Sequence, residues 1–271
     1  VALPSKRVPS SGVASPTDAQ YVVLAVDAGL SAERVFTAGD WVSQVDGGAD
    51  GNLTYDFTPS RVKTILTDEF TNGNDVVAGE IGALGWTGSN VGNSVSVAGV
   101  ANHPGIWRMT TAATLNDTPR IHTASDEFFL ADVERAQYIV RPNSGTATMF
   151  VRVGFADNTT GSEAAVGCYF SFDPGTSANW RTVTRLDGTN ITTNTTTIAY
   201  TTGTWYFLEI RRNGANEEFY INNVLQFTHS TNIPTGIMAP MMLIKTNEAV
   251  AKSIDVDFFT MKSAAWGQRW T

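Results

Sequence analysis

Residues Thr204 to Ser230 read TWYFLEIRRNGANEEFYINNVLQFTHS, and this stretch decides the fold class. Three apolar-alternating segments are separated by Asn213-Gly214 and by Asn222-Asn223. Asn and Gly accept the left-handed backbone that tight hairpin turns require, so three successive antiparallel strands are predicted. Arg212 and Glu217 close the first turn. Side chains alternate between faces along a strand, which puts Tyr206, Leu208, Ile210, Phe219, Ile221 and Val224 together. The other face carries Trp205, Phe207, Glu209, Arg211, Glu218, Tyr220, Leu225 and Phe227, and it is too apolar for simple exposure to water. Arg211 and Glu218 fall opposite each other, and a cross-strand ion pair there would let that end be solvated. The remainder, Trp205, Phe207, Leu225 and Phe227, is a candidate assembly interface that something must cover.

Working outward, the segments around this meander repeat its texture. Strands are predicted at Glu127–Ala131, Gln137–Arg141, Thr148–Ala156, Ala165–Phe172, Trp180–Leu186, Thr195–Tyr200, Met241–Lys245 and Ser253–Met261. In TATMFVRVGFAD, Met149, Val151, Val153 and Phe155 point one way, and Phe150 and Arg152 the other. In SIDVDFFTM, Ile254, Val256 and Phe258 alternate with Asp255, Asp257 and Phe259. Short strands with one-sided alternation, Gly/Asn/Asp turns and no long amphipathic helix indicate two antiparallel sheets packed face to face. Asp68–Asn90, rich in glycine, reads as an irregular entry segment wrapping this domain. The pattern DEF…GEIGALGW…HPGIWRM…WYFLEIRRNG…EEFYINNVLQ…SIDVDFFTM resembles concanavalin-like (laminin G-like) jelly-roll domains. That resemblance implies an all-β jelly-roll β-sandwich over residues 61–263, a fold shared by lectins, glycosidases, lyases and structural modules.

Ahead of it, residues 1–17 read as an extended arm, and residues 18–60 as a small β-rich module with strands at Tyr21–Val26, Arg34–Thr37 and Leu53–Phe57. A unit that small buries little core alone and is expected to pack on the larger domain or on copies of itself. The run DAQYVVLAVDAGLSAERVFTAGDWVSQVDGGADGNLTYDF resembles a module of tail-fibre and related virion proteins of tailed bacteriophages. Here Asp40-Trp41 replaces the more usual glycine-rich continuation. The resemblance implies attachment to other virion proteins, a homo-oligomer with a trimer favoured, location on the particle surface, and no catalytic residue. The tail, residues 264–271, holds Trp266 and Trp270, two indoles that should dock on this chain or on a neighbour.

Of 271 residues, 42% are hydrophobic and 16% charged, which supplies a core and is not the composition of a disordered chain. The net charge of −8 argues against a nucleic-acid-binding surface, which needs clustered Lys and Arg. No apolar run is long enough to span a membrane, and no signal peptide is visible in VALPSKRVPSSG. The single cysteine, Cys168, reads as a buried structural thiol.

Catalytic motifs are absent. Glycoside hydrolysis needs two carboxyl groups flanking a bond. Glu127, Asp132 and Glu134 have the wrong spacing for one strand face, and Asp255 with Asp257 lacks a partner Glu, so a solvated strand face is expected there. His103, His122 and His229 lie far apart, and no metal motif appears, leaving only weak surface calcium at a loop such as Asp157-Asn158. No cofactor is expected. Carbohydrate recognition needs an aromatic platform beside polar side chains. Trp180 and Tyr169 with Arg152, Arg181 and Arg185 are the candidates, against the alternative that a mid-strand Trp is core. The sequence thus points to a non-enzymatic virion structural protein presenting a lectin-like sandwich for adhesion to host-surface glycan. The alternatives are a capsid decoration protein or head fibre, and a secreted carbohydrate-binding or carbohydrate-active protein of the same fold.

Overall fold

The computed structural model describes residues 21–22, 33–34, 43–45, 54–56, 64–70, 81–123, 128–144, 148–157 and 164–263. The chain divides into two units, Val1–Val62 and Lys63–Thr271. In the first, β1 (Tyr21–Val22) pairs in parallel with β2 (Glu33–Arg34), and β3 (Ser43–Val45) antiparallel with β4 (Thr54–Asp56). The arm at 1–17, most of the predicted module, and the tail with Trp266 and Trp270 lie outside the described residues.

The second unit is a sandwich of two antiparallel eight-stranded sheets. One, the meander sheet, contains β5 (Thr64–Asp68), β7 (Val95–Val100), β8 (His103–Thr110), β11 (Val133–Pro142) and β16 (Tyr206–Asn213). It is completed by β17 (Asn216–Ile221), β18 (Val224–His229) and β20 (Ser253–Ser263). The order is β18-β17-β16-β11-β20-β8-β7, and β5 also pairs with β20. The opposite sheet is built from β6 (Thr87–Ser89), β9 (Arg120–His122), β10 (Phe128–Phe129), β12 (Met149–Ala156) and β13 (Gly167–Phe172). With them are β14 (Asn179–Arg185), β15 (Ile191–Ala199) and β19 (Ile237–Thr246), in the order β15-β14-β13-β12-β19-β9-β6, with β10 on β19.

The opening stretch forms its three strands, and the first hairpin has the predicted register, with Arg212 opposite Glu217 and Arg211 opposite Glu218. Gly214 sits at φ 62, and Asn222 and Asn223 at φ 51 and 65, the left-handed conformations those turns require. Tyr206, Leu208, Ile210, Phe219 and Ile221 are buried as expected, but Val224 is 59% exposed. It pairs with the buried Ile221 on the predicted face but opens the edge strand β18 beside the turn, and the register shift between Phe219 and Tyr220 comes after it.

Aromatic rings from both sheets fill the interior. Phe170 meets Phe219 edge-on across the sandwich at 5.3 Å, and Trp180 meets Tyr206 at 5.4 Å. Trp180 is 0% exposed, so it belongs to the core and offers no face to a sugar. Met149, Val151, Val153 and Phe155 point inward as predicted. The alternation of β20 does not hold. Ile139 pairs with Phe258 but Val140 with Val256, so Asp257 is the extra residue of a bulge. Beyond it the faces swap, and Phe259 rather than Phe258 enters the core.

The segment Asp68–Asn90 contributes to the core, since Phe70, Ile81 and Trp86 are buried. Its organiser is Asp68. The carboxylate accepts the Phe70 amide (2.8 Å), the Leu84 amide (2.9 Å) and the Trp86 indole N–H (3.1 Å). A carboxylate sequestered at 1% exposure is tolerable because donors satisfy it.

Candidate functional site

The two outer faces of the sandwich differ. On the opposite sheet, Arg152, Arg181 and Arg185 do come together around Tyr169, each its diagonal neighbour across β12, β13 and β14. Trp180, by strand alternation, points the other way. Tyr169 is only 2% exposed, however, with the Arg152 guanidinium 5.7 Å from its ring centre. Beside them Ala164 from the β12–β13 connection, Ala156, Met241 and Leu243 form a small buried cluster. These residues present no open ring to stack a sugar on.

The meander sheet's outer face is open, and strand register sorts it into rows. Phe207, Ile139 and Phe258 lie side by side on β16, β11 and β20, each partly exposed. With strands about 4.8 Å apart, this apolar stripe spans about 10 Å. On one flank runs a polar row, Tyr220–Glu209–Gln137–Thr260–Thr67, across five strands. Glu209, 2% exposed, accepts from Gln137 Nε2 and from Arg211. The Arg211 guanidinium also lies over the Tyr220 ring, 4.4 Å from its centre. The predicted Arg211–Glu218 ion pair therefore does not form. Arg211 is drawn to Glu209 on its own strand, while Glu218 accepts from Tyr220 (2.6 Å) and Asn213 (2.7 Å).

The other flank is a charge network. Arg108 donates to both oxygens of Asp255 at 2.7 and 3.1 Å, and Arg141 to Oδ2 at 2.6 and 3.2 Å. Asp255 is 0% exposed, so the solvated strand face expected for it is not found. Two guanidinium groups replace the water it has lost. Trp205, expected to be an uncovered apolar residue, is clothed by its own chain. His103 stacks on it at 3.9 Å, and Arg141 lies 4.5 Å from its ring centre. Phe207 is partly exposed and Leu225 is 46% exposed, so these two remain open on this face. The register shift in β18 instead puts Phe227 opposite the buried Phe219, on the inner face and not with Phe207 as expected. His103 Nδ1 in turn donates to Asp257 Oδ2 at 2.7 Å.

At Asp257 the sheet forks. The N-terminal half of β20 pairs with β8 as far as Val256, and its C-terminal half pairs with β5 from Phe259 onward. The bulged Asp257-Phe258 step faces the gap between those two strands. An open pocket of about 200 Å³ fills the gap, lined by Glu69, Asn102, Pro104, Ile139, Asp257 and Phe258. The apolar stripe runs into it through Ile139 and Phe258. Burial pushes the Asp257 carboxyl above its ordinary range, the His103 hydrogen bond pulls it back, and the charge of Glu69 pushes it up again.

Sequence reasoning missed His103, Arg108, Arg141, Glu69 and Gln137. The available signal was that Arg108, Arg141 and Asp255 are charges in the middle of apolar strands. Three such charges need one another, but nothing in the sequence says that they meet. Among the described residues, no group of three or more His, Cys, Asp or Glu is arranged to hold a metal.

Comparison with known proteins bears on the fold. The crystal structure of SO2946 from Shewanella oneidensis MR-1, a protein of unknown function, aligns at 12% identity over 77% of this chain and 90% of that one, with TM-score 0.59. A glycoside hydrolase family 16 protein of the Bacteroides ovatus mixed-linkage glucan locus, crystallised with a G4G4G3G product, aligns at 10% identity. It covers 72% of this chain and 99% of that one, with TM-score 0.54. The carbohydrate recognition domain of Emp47p aligns at 10% identity over 73% and 94%, with TM-score 0.52. No curated protein matches in sequence. The family described as SO2946-like, C-terminal domain, matches residues 102–257, more than half of the sequence. An all-β jelly-roll sandwich of two antiparallel sheets, this chain belongs to the SO2946-like C-terminal domain family.

Proposed function

We propose that the protein is a non-hydrolytic glycan-binding module, with the sugar chain lying along Phe207, Ile139 and Phe258. One observation carries this: an apolar stripe one residue wide is flanked on both sides by rows of ordered polar groups. A pyranose has the same pattern, apolar C–H faces rimmed by hydroxyls. Rings and aliphatic side chains would take the faces, while Gln137, Thr260, Tyr220 and Arg141 would meet the hydroxyls. The fold analogy with the glucan-processing family 16 protein and the Emp47p recognition domain supports the ligand class, as analogy only.

Binding without hydrolysis is favoured because Asp255 and Glu209, the carboxylates within the two flanking rows, are buried and engaged by arginines. Neither is placed to move a proton or attack a sugar carbon. The resemblance of residues 18–60 to virion modules supports a place on a phage appendage, as a homo-oligomer adhering to host glycan.

The test is calorimetric titration of the full chain with neutral β-glucan oligosaccharides, using wild type, Phe207→Ala and Phe258→Ala. Each truncation should weaken binding about 5- to 30-fold, the range for a lost ring contact of about 1–2 kcal/mol. No glycan binding by the wild type, or unchanged affinity in both variants, sinks the reading. Sugar release that is abolished by Asp257→Asn would overturn its non-hydrolytic half.

A further inference from the structure

Strand β7, Val95-Ser96-Val97-Ala98-Gly99-Val100, ends the meander sheet and pairs with β8 alone among the described residues. Five of its six residues are exposed, Val95 and Val100 at 49% and 47%. A strand wet on both faces gains little from valine, and the bare N–H and C=O groups of its free edge are a template for another strand. Folded proteins blunt such edges with charge, proline, bulges or cover. On the far side of the sandwich, β15 and β18 are treated in this way. Each meets its neighbour through a register shift. The two are also clasped together: His229 of β18 bonds Thr182 and Thr184 at 2.8 and 2.9 Å, and Thr192 of β15 bonds Thr231 at 2.9 Å. β7 has none of these devices. It holds no charge and no proline, and its register with β8 runs unshifted from Val95–Arg108 to Val100–His103.

We propose that β7 pairs antiparallel with β7 of a second copy of this chain, about a two-fold axis through Val97. Charge and backbone geometry both select a second copy. Residues 81–107 hold no Lys, Arg, Asp or Glu, in a chain of net charge −8. Arg108 and His103, which pair with Val95 and Val100, are committed to Asp255 and Asp257. Two acidic chains therefore meet here without like-charge repulsion, while a charged partner strand finds nothing to recognise. The backbone then fixes the register. Pro104 has no N–H, and the two-residue turn Ala101-Asn102, with Asn102 at φ 68, closes on Val100–His103 as a hydrogen-bonded pair. By alternation Val95, Val97 and Gly99 turn their N–H and C=O groups to the free edge. This set is self-complementary. Val97 meets its own copy and Val95 meets Gly99, for about six backbone hydrogen bonds across the axis.

Such a pair merges two meander sheets into one, with both Phe207–Ile139–Phe258 stripes on the same side. Stepping from β20 through β8 and β7 and out again to β20 of the second copy spans about 24 Å. On the glycan reading, two stripes would then grip one surface at once, with the gain in avidity that linkage brings. The dimer itself does not depend on that reading.

Light scattering of the full chain over a range of concentrations tests this, with variants at the axis. The wild type should show an even multiple of the monomer mass. Val97→Lys sets two like charges against each other on the axis and should halve that mass. Val97→Cys should form an inter-chain disulfide under mild oxidation, because a hydrogen-bonded antiparallel pair holds its Cα atoms about 5.5 Å apart. Val95→Cys, on the same face but off the axis, should not. The native Cys168 is buried and does not compete. A monomeric wild type overturns the assignment and leaves the edge to a strand of another protein. An odd multiple overturns it, as does a mass unchanged by Val97→Lys. Equal cross-linking by the two cysteine variants would mark random collision and overturn it too.

Discussion

Glu217 gives the sharpest energetic prediction. It lies on the interior face of β17 at 0% exposure, opposite Arg212 on β16 and His229 on β18. Arg212 donates to one carboxylate oxygen, while Oε2 has no partner. Burial pushes its pKa from 4.5 to about 7, against the pull of Arg212 and with a smaller push from Glu218. A folded-state pKa above the unfolded value means that the native protein holds this proton more tightly. Stability from this group is therefore fully present below about pH 4.5 and is lost as pH rises through about 7. The interval from 4.5 to about 7, at ~1.4 kcal/mol per pH step, gives about 3–4 kcal/mol. Glu217→Gln keeps the shape and an oxygen for Arg212 but cannot ionise. The variant should match the wild type near pH 4 and exceed it by about 3 kcal/mol near pH 8. Urea unfolding of both proteins across that range reads the difference directly. His229, whose burial lowers its pKa to about 4, titrates in both proteins, as do Glu218 and the other common groups, so the comparison cancels them to first order. Parallel stability curves for the two proteins would refute the reasoning.

Two further changes follow from the same packing. Asp255→Asn strands Arg108 and Arg141 beside a neutral group at a 0% exposed position, and should cost about 3–5 kcal/mol in urea unfolding. A cost under about 1 kcal/mol would mean that the two guanidinium groups find water easily. Trp180→Ala removes a fully buried indole that meets Phe170, Tyr200 and Tyr206. It should cost about 3–5 kcal/mol, with glycan affinity of the remaining folded protein unchanged. A specific loss of glycan binding without loss of stability would favour the carbohydrate platform over the core, the two readings that its sequence context leaves for Trp180.

Where turn chemistry and alternation act locally, the sequence was legible. The stretch from Thr204 to Ser230 carries its own register, because Asn213-Gly214 and Asn222-Asn223 fix both turns. The two-sheet class was legible too, since Met149 to Phe155 alternate without interruption. Legibility failed where one inserted residue changes the outcome. The bulge at Asp257 exchanges the roles of Phe258 and Phe259, and strict alternation cannot register it. It also failed for contacts between distant strands. Asp255 meets Arg108 and Arg141 from 147 and 114 residues away, and the strand order that joins them has no local signature. Nor does the strand Asn179–Arg185 carry a local sign of which face points inward, so Trp180 reads as platform or as core until the sheets are assembled. The better candidate lay on the outer face of the meander itself, assembled by β11 and β20 from either side of it.

The glycan proposed for this protein is placed on this outer face and not on the opposite sheet. A crystal structure of the full chain with a bound oligosaccharide tests that most directly. Sugar rings are expected against Phe207, Ile139 and Phe258. A sugar seated on the opposite sheet over Arg152 and Tyr169, or the absence of a complex with any glycan at saturating concentration, would contradict it.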